Sequence, residues 1–227
     1  MLFEFDFVFF HIPKCGGSSI REYFKNLFTK LGYKDKIYVA CESKGLKNLM
    51  NIEILEEMND IIKNKKILLS HINCKLYSKF LMKYCITCIR NPINRYISSF
   101  NHFILMDNKN KNIIKLFREN KLKPGTIYDK NIWFRKDLND YNYIIIFENM
   151  KNDIENIKNT INKNINIEFP YVDPAFKSKK YKNYFKFNFK LSEHVDLYKF
   201  LKKELKNDIE IYNTICINRN LNNLIIN

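Results

Sequence analysis

The sequence predicts an α/β fold with a mostly parallel central sheet flanked by helices. Short runs of aromatic and aliphatic residues have the composition of buried strands, and amphipathic stretches with helical spacing alternate with them. The chain has 227 residues, of which 46% are hydrophobic, and this is enough for one domain with a sizeable core. We therefore expect a single domain over residues 1–227, with residues 215–227 as a surface tail.

Each element is predicted from its own pattern along the chain. The predicted strands are apolar runs at Phe3–Phe10, Lys36–Cys41, Ile67–Leu69, Tyr84–Ile89 and Tyr143–Phe147, with an edge strand at Ile165–Phe169. The predicted helices begin near Ser18 and cover Leu46–Ile62, Leu76–Met82, Ile93–Met106, about Lys151 to Ile161, and Leu191–Tyr212. Pro92 suits the first turn of the helix that follows it.

The first candidate site follows the first predicted strand. The apolar run ends at Pro13, and a helix begins near Ser18 after two consecutive glycines. A strand, a turn and a helix in this order direct several backbone N–H groups and the positive end of the helix dipole at one point. Lys14 adds a full positive charge, so we predict a site for a phosphate-like group. The nucleotide-triphosphate loop differs, because its lysine follows the last glycine.

Two segments resemble those of known enzymes. His11–Ser19, which reads H-I-P-K-C-G-G-S-S, resembles the H-I-P-K-T-G-G-T-S segment that binds 5′-phosphosulfate in carbohydrate sulfotransferases. Cys88–Phe100 resembles the R-D-P-x-x-R-x-x-S-x-[YF] segment of the same family, with Asn91 in place of the aspartate. The resemblance implies a P-loop-NTPase-like sulfotransferase fold. It also implies transfer of a sulfuryl group from 3′-phosphoadenosine-5′-phosphosulfate (PAPS) to an acceptor hydroxyl, with a carbohydrate as the first expectation.

The resemblance also implies roles for individual residues. Arg90 and Ser98 would hold the 3′-phosphate, since an arginine offers a planar fork of donors and the serine follows about two helical turns later. Lys177 and Ser178 fall where relatives have a basic loop over the donor. The residues expected to contact the 5′-phosphosulfate are Lys14, Cys15, Gly16, Gly17, Ser18 and Ser19. Of these, Lys14 is expected to act on the leaving oxygen.

His71 is the expected general base. It follows a predicted strand, where heparan-sulfate 2-O-sulfotransferase-like enzymes have a catalytic histidine in the context G-H-x-x-[YF], and Ser70 replaces that glycine. A positioned base with a pKa near the working pH suits removal of the hydroxyl proton. A packed or capping imidazole is the structural alternative. We expect His11, at the end of the first strand, to order the loop rather than to take a proton.

Charge and cysteine content bear on partners and metals. The net charge of +15 suits acidic substrates and polysaccharides, although a lysine-rich composition explains the same excess. No nucleic-acid-binding pattern is recognised, so we expect no nucleic acid partner. Cys85 and Cys88 form a C-x-x-C inside a predicted strand, where alternation sends the two side chains to opposite faces. We therefore expect no metal.

The remaining expectations concern location and competing functions. No apolar segment approaches the ~20 residues of a membrane helix, and no signal peptide or anchor is recognised. This indicates a cytoplasmic protein as the chain stands, or a Golgi-lumen protein if the chain is a trimmed piece. Two other functions stay open: a small nucleotide-dependent kinase, and a non-catalytic module that binds polyanions or glycans.

Overall fold

The computed structural model describes residues 2–39, 47–49, 51–106, 113–122, 138–162 and 191–226. Within these residues, five strands form one parallel sheet flanked by helices, which confirms the predicted α/β class. Backbone contacts divide the chain into two compact units. The sheet unit comprises Met1–Ile89 and Lys130–Val172, and the helical unit comprises Arg90–Asp129 and Asp173–Asn227. The single-domain organisation stays a prediction.

The sheet has the strand order β2-β3-β1-β4-β5. Its strands are β1 Phe3–Phe10, β2 Ile37–Val39, β3 Ile67–Ser70, β4 Phe80–Ile89 and β5 Tyr143–Ile146. The helices of the sheet unit are α1 Gly17–Lys30, α2 Ile52–Glu57, α3 Asn59–Ile62 and α6 Met150–Ile161. Those of the helical unit are α4 Pro92–Met106, α5 Ile113–Arg118, α7 Val195–Glu204 and α8 Lys206–Asn218.

The central strand β1 buries side chains on both faces. The ring of Phe9 faces α1, with its centroid 6.1 Å from that of Phe24. Phe10 points to the other face, into a core cluster that contains Leu55 of α2. Strand alternation then returns His11 to the α1 face, where its ring lies nearly parallel to that of Phe9 with a centroid distance of 5.8 Å. The strand pattern thus decides which side of the sheet carries this imidazole.

The carboxyl end of β1 lies at a switch in strand order. β1 and β4 are neighbours, with Phe10 opposite Thr87 near their carboxyl ends. The chain leads from β1 to β2 on one side of the sheet and from β4 to β5 on the other. In open α/β sheets, ligands bind beyond the carboxyl ends of the strands at such a switch.

The predicted helix Leu46–Ile62 is wrong at its start. Leu49 forms an isolated parallel bridge with Ile72, so its backbone cannot also be helical. α2 begins only after Asn51, whose side chain caps the helix by accepting a 2.9 Å hydrogen bond from the backbone N–H of Ile54. A non-local strand contact therefore overrides the helical spacing of the apolar residues.

The predicted helix Leu76–Met82 is also corrected. A 3₁₀ turn covers Cys74–Lys79, and β4 already begins at Phe80. Phe80 pairs with Phe3 in the parallel ladder, and its ring centroid lies 5.7 Å from that of Phe5. Pairing with the long strand β1 therefore extends β4 beyond the start that its own sequence predicts.

The end of the chain differs from the predicted surface tail. α8 continues to Asn218, and its residues Ile215 and Cys216 are buried. The side chain of Asn213 makes two 2.9 Å hydrogen bonds with the backbone N–H and carbonyl of Ile226, which is itself buried. Ile215, Cys216 and Ile226 thus belong to the packing of the helical unit.

Three further expectations concern an edge strand, membrane helices and metal-binding groups. The predicted edge strand Ile165–Phe169 lies outside them. Among the helices that are described, none has the length and apolar character needed to cross a membrane. The same part of the chain holds no group of three histidine, cysteine, aspartate or glutamate residues that could bind a metal ion.

Candidate active site

The segment between β1 and α1 folds as a turn that contains left-handed backbone. Lys14 has a φ of 66°, and Gly16, the N-cap of α1, has a φ of 75°. Glycine adopts this region at no steric cost, whereas a residue with a Cβ costs about 1–3 kcal/mol. A Cβ on Gly16 would also lie 2.7 Å from a ring atom of Phe147. Glycine is therefore required at position 16 by both backbone and packing.

The start of α1 has two features that suit a phosphate-like group. The first amides of a helix have no acceptor inside it, and they carry the positive end of the dipole. Of the first residues, Ser19 donates its backbone N–H to the carbonyl of Gly16 at 3.1 Å, which tightens the opening turn. No acidic residue lies in this first turn, so no carboxylate of α1 competes with an anionic ligand there.

β4 supports the turn from inside the sheet unit. The hydroxyl of Thr87 donates to the carbonyl of Phe10 at 2.9 Å, and the thiol of Cys88 donates to the carbonyl of Cys15 with an Sγ–O distance of 2.8 Å. Cys85, the other member of the C-x-x-C, lies in the core cluster on the opposite face. The two cysteines therefore separate as strand alternation predicts, and one of them anchors the turn.

His71 follows β3 directly and contacts the end of β1. The backbone N–H of His11 donates to the carbonyl of Ser70 at 2.9 Å, which continues the ladder between β1 and β3. Nδ1 of His71 lies 2.8 Å from the carbonyl oxygen of His11. Because a carbonyl only accepts hydrogen bonds, Nδ1 carries a proton, and in the neutral imidazole Nε2 is then the unprotonated nitrogen. This is the tautomer that a general base acting through Nε2 requires.

The imidazoles of His11 and His71 stack on each other. Their ring centroids lie 3.8 Å apart and their planes differ by 21°. The ring of His11 also lies over Gly17, where an added Cβ would overlap the imidazole. Glycine is therefore required at position 17 by the histidine above it. The predicted loop-ordering role of His11 matches these contacts, although its contact with His71 was not predicted.

Burial lowers the pKa of both imidazoles. The pKa of His71 falls to about 4, chiefly through burial and further through the charge of Arg21, although its hydrogen bond to the His11 carbonyl acts the other way. Burial also holds the pKa of His11 well below its usual range, and the charges of His71, Arg21 and Lys14 add to this effect. Both rings are therefore neutral near pH 7, and His71 can accept a proton.

Two neighbours of His71 were not identified from the sequence. Oδ1 of Asn48 lies 3.4 Å from both the backbone nitrogen of His71 and the hydroxyl of Ser70. Arg21 lies one turn into α1, and its position four residues after the first helical residue could have indicated the shared face. No comparable signal exists for Asn48, because its contact joins positions far apart in the sequence.

The second resembling segment, Cys88–Phe100, belongs to the helical unit from Arg90 onward. Arg90 follows β4 directly, and Ser98 is partly buried on α4. The side chain of Asn91 caps α4 by accepting hydrogen bonds from the backbone N–H groups of Ile93 at 3.1 Å and Asn94 at 3.2 Å. Asparagine caps helices as well as aspartate does, so this departure from the family pattern preserves the local structure.

The structure thus places the predicted residues in three groups. Residues 14–19 and His71 come together in the sheet unit, at the carboxyl ends of β1 and β3. Arg90 and Ser98 lie in the helical unit. Lys177 and Ser178 lie outside the described residues.

Comparison with known proteins identifies a family. A model described as "Sulfotransferase family" matches residues 4–137, which is more than half of the chain. The matched range includes the turn before α1, His71 and the segment from Arg90 to Ser98. The comparisons with curated proteins and with solved structures found no match.

Proposed function

This chain belongs to the sulfotransferase family, and on that premise we propose that it transfers a sulfuryl group from PAPS to a carbohydrate hydroxyl. The donor, the acceptor class and the likeness to heparan-sulfate 2-O-sulfotransferases are parts of the proposal. The observation that carries it is the position of His71, whose Nδ1 lies 2.8 Å from the His11 carbonyl oxygen, beside a glycine turn and helix start suited to an anion. This arrangement pairs an anion site with a base.

The proposed reaction needs one bond to form and one to break. The acceptor hydroxyl oxygen bonds to sulfur while the bond from sulfur to the bridging phosphate oxygen breaks, which releases adenosine 3′,5′-bisphosphate. Nε2 of His71 takes the hydroxyl proton, and the hydrogen bond from Nδ1 to the His11 carbonyl stabilises the imidazolium that forms. Lys14 stabilises the negative charge on the departing oxygen, and the first amides of α1 hold the 5′-phosphate.

The charges around His71 favour a higher pKa of its imidazole when the anionic donor is bound. Burial and the positive charge of Arg21 lower the pKa of His71 in the protein alone. An anionic donor in the turn offsets the charges of Arg21 and Lys14 and so raises the pKa of this imidazole. His71 is therefore fully unprotonated before binding and becomes more basic when the reacting groups are in place.

The remaining roles in the proposal rest on the sequence motifs. We assign the 3′-phosphate to Arg90 and Ser98, and Lys177 and Ser178 stay as predicted contacts to the donor. Residues 1–227 are proposed to act as one sulfotransferase domain. No metal takes part in the proposed reaction.

The donor assignment is tested by calorimetric binding of adenosine 3′,5′-bisphosphate and AMP. A charge-assisted phosphate contact is worth about 1.5–3 kcal/mol, so wild type should prefer the bisphosphate by at least ~10-fold. Arg90→Ala should lose most of this preference, whereas Arg118→Ala, which changes an exposed arginine of α5, should keep it. A wild type that binds both nucleotides equally contradicts the proposal.

The reaction is tested with labelled PAPS and an array of glycan acceptors. Lys14→Ala and His71→Asn should each reduce transfer by at least ~100-fold, as loss of a charge stabiliser or a general base does. Lys25→Ala, at an exposed position of the same helix α1, is the matched control and should retain activity. Glycan binding without transfer would favour the non-catalytic module, and magnesium-dependent use of ATP would favour the kinase.

A further inference from the structure

The imidazole of His11 contacts both His71 and the start of α1. One face of its imidazole stacks on His71 at a centroid distance of 3.8 Å. Its ring edge, at Cδ2 and Nε2, lies against Gly17, the first residue of α1. Its backbone carbonyl accepts the hydrogen bond from Nδ1 of His71. The residue thus links the proposed donor turn to the proposed base through contacts of both its ring and its backbone.

The burial of the His11 imidazole lowers the stability of the folded protein. Its exposed fraction is 5%, and its Nδ1 is buried without a hydrogen-bond partner among the residues that the structure describes. A buried polar atom without a partner costs about 1–3 kcal/mol, and such atoms are rare in folded proteins. An apolar side chain could fill the same space without this cost. Stability therefore does not explain a histidine at this position.

We propose that His11 is a positioning residue for sulfuryl transfer, which holds the ring of His71 at a set place and orientation relative to the start of α1. This proposal rests on the proposed function and adds a residue to it. The stack restrains the plane of the His71 ring, while the carbonyl restrains its Nδ1 edge. In the proposed reaction, Nε2 is the ring nitrogen that takes the proton of the acceptor hydroxyl.

The charges near the pair explain why His11 must stay neutral for this role. Burial is the main reason why the pKa of His11 is lowered, and His71, Arg21 of α1 and Lys14 of the turn act in the same direction. In the proposed reaction His71 becomes an imidazolium, and a second positive ring at 3.8 Å would oppose that step. A neutral His11 provides a flat polar surface next to the base without adding charge.

The first experiment needs no enzymatic turnover. Nuclear magnetic resonance of histidine-labelled wild type should show His71 as the Nδ1–H tautomer, with a pKa near 4. In His11→Ala, where the covering ring is removed, the pKa of His71 should rise toward the 6.5 of an exposed histidine. An Nε2–H tautomer in wild type, or a pKa that is the same in both proteins, overturns the proposal. If His11→Ala does not fold, the wild-type tautomer and pKa decide the question alone.

The second experiment separates positioning from donor binding. His11→Ala should lower kcat by about 10–100-fold, as loss of an outer residue that orients a reactive group does, and should change the KM for PAPS by less than about threefold. The acid limb of its kcat/KM profile should move to higher pH together with the pKa of His71. His194→Ala, which removes a histidine at the start of α7, is the control and should leave kcat unchanged. An unchanged kcat in His11→Ala, or a loss confined to KM, contradicts the proposal.

A double-substitution cycle tests the contact with α1. Gly17→Ala alone places a methyl group into the imidazole of His11 and should weaken binding of adenosine 3′,5′-bisphosphate by more than about 10-fold. Combining it with His11→Ala removes the overlap and should restore much of that binding. Additive effects of the two substitutions would show that the ring does not set the position of the helix start. Absence of sulfation in wild type would reject the proposed function, while the tautomer and the cycle would still report on His11.

Discussion

Acidification should destabilise this protein through His71. The pKa of this imidazole is about 4 in the folded protein, against 6.5 for an unperturbed histidine. Between these values the unfolded chain binds a proton at this position and the folded protein does not. The free energy of unfolding therefore falls as the pH drops below 6.5, and this contribution stops changing once the pH is below about 4.

The size of the effect follows from the gap between the two pKa values. A gap of about 2.5 corresponds to a loss of about 3 kcal/mol once the pH reaches 4, and of about 2 kcal/mol at pH 5. The buried imidazole of His11, whose pKa is also lowered, adds a further loss in the same direction. Since single domains are stable by about 5–15 kcal/mol, these losses are a large fraction of the total.

Urea unfolding followed by circular dichroism, at several pH values between 7.5 and 5, measures this dependence. His71→Asn keeps an amide N–H that can donate to the His11 carbonyl but has no proton to bind. Between pH 7.5 and 5 its stability should therefore fall by about 2 kcal/mol less than that of wild type. His194→Asn controls for removal of a histidine elsewhere. A wild type with constant stability across this range, or a His71→Asn variant with the wild-type slope, refutes the reasoning.

Three further predictions follow from single groups. Tyr96→Phe removes a buried hydroxyl that has no hydrogen-bond partner within the described part of the chain, and should raise the free energy of unfolding in urea by about 1 kcal/mol. A variant less stable than wild type would show that the hydroxyl is hydrogen-bonded. Asp153→Ala should lower the free energy of unfolding by about 2–3 kcal/mol, because the backbone N–H of Ile146 and the side-chain amide of Asn149 each lose an acceptor at 2.7 Å. The control Asn152→Ala, on the surface of α6, should lower it much less. In wild type, kcat/KM should stay level from neutral pH down to about pH 5 and then fall as His71 gains its proton; a midpoint near 6.5 would argue against this residue as the base.

Local patterns predicted the parts of the site that depend on neighbouring residues. The strand Phe3–Phe10 has the predicted limits, and α1 begins at Gly17, one residue before the predicted start. The apolar run, the proline and the paired glycines specify these boundaries within a short segment of chain. The alternation of strands and helices predicts the α/β class. It does not predict the strand order, because the sequence pattern does not determine which strands are neighbours.

Contacts between distant segments account for the differences. The bridge from Leu49 to Ile72 replaces the start of a predicted helix, and pairing with β1 converts Phe80–Met82 from predicted helix to strand. In both cases the apolar residues are buried as expected, but their backbone hydrogen bonds go to a segment far away in the sequence. Periodicity reports which side chains are buried, whereas the partner of each backbone group depends on the assembled sheet.

By itself, the sequence determined the strand–turn–helix segment with its lysine and glycines, since those residues dictate their own backbone through local sterics and hydrogen bonding. Only the tertiary structure decided the chemical state of His71. The carbonyl that selects its tautomer and the ring that covers it both belong to His11, which lies 60 residues earlier and reaches it because β1 and β3 pair in parallel. A proton affinity depends on burial and on nearby charges, and these exist only once the chain has brought separate segments together.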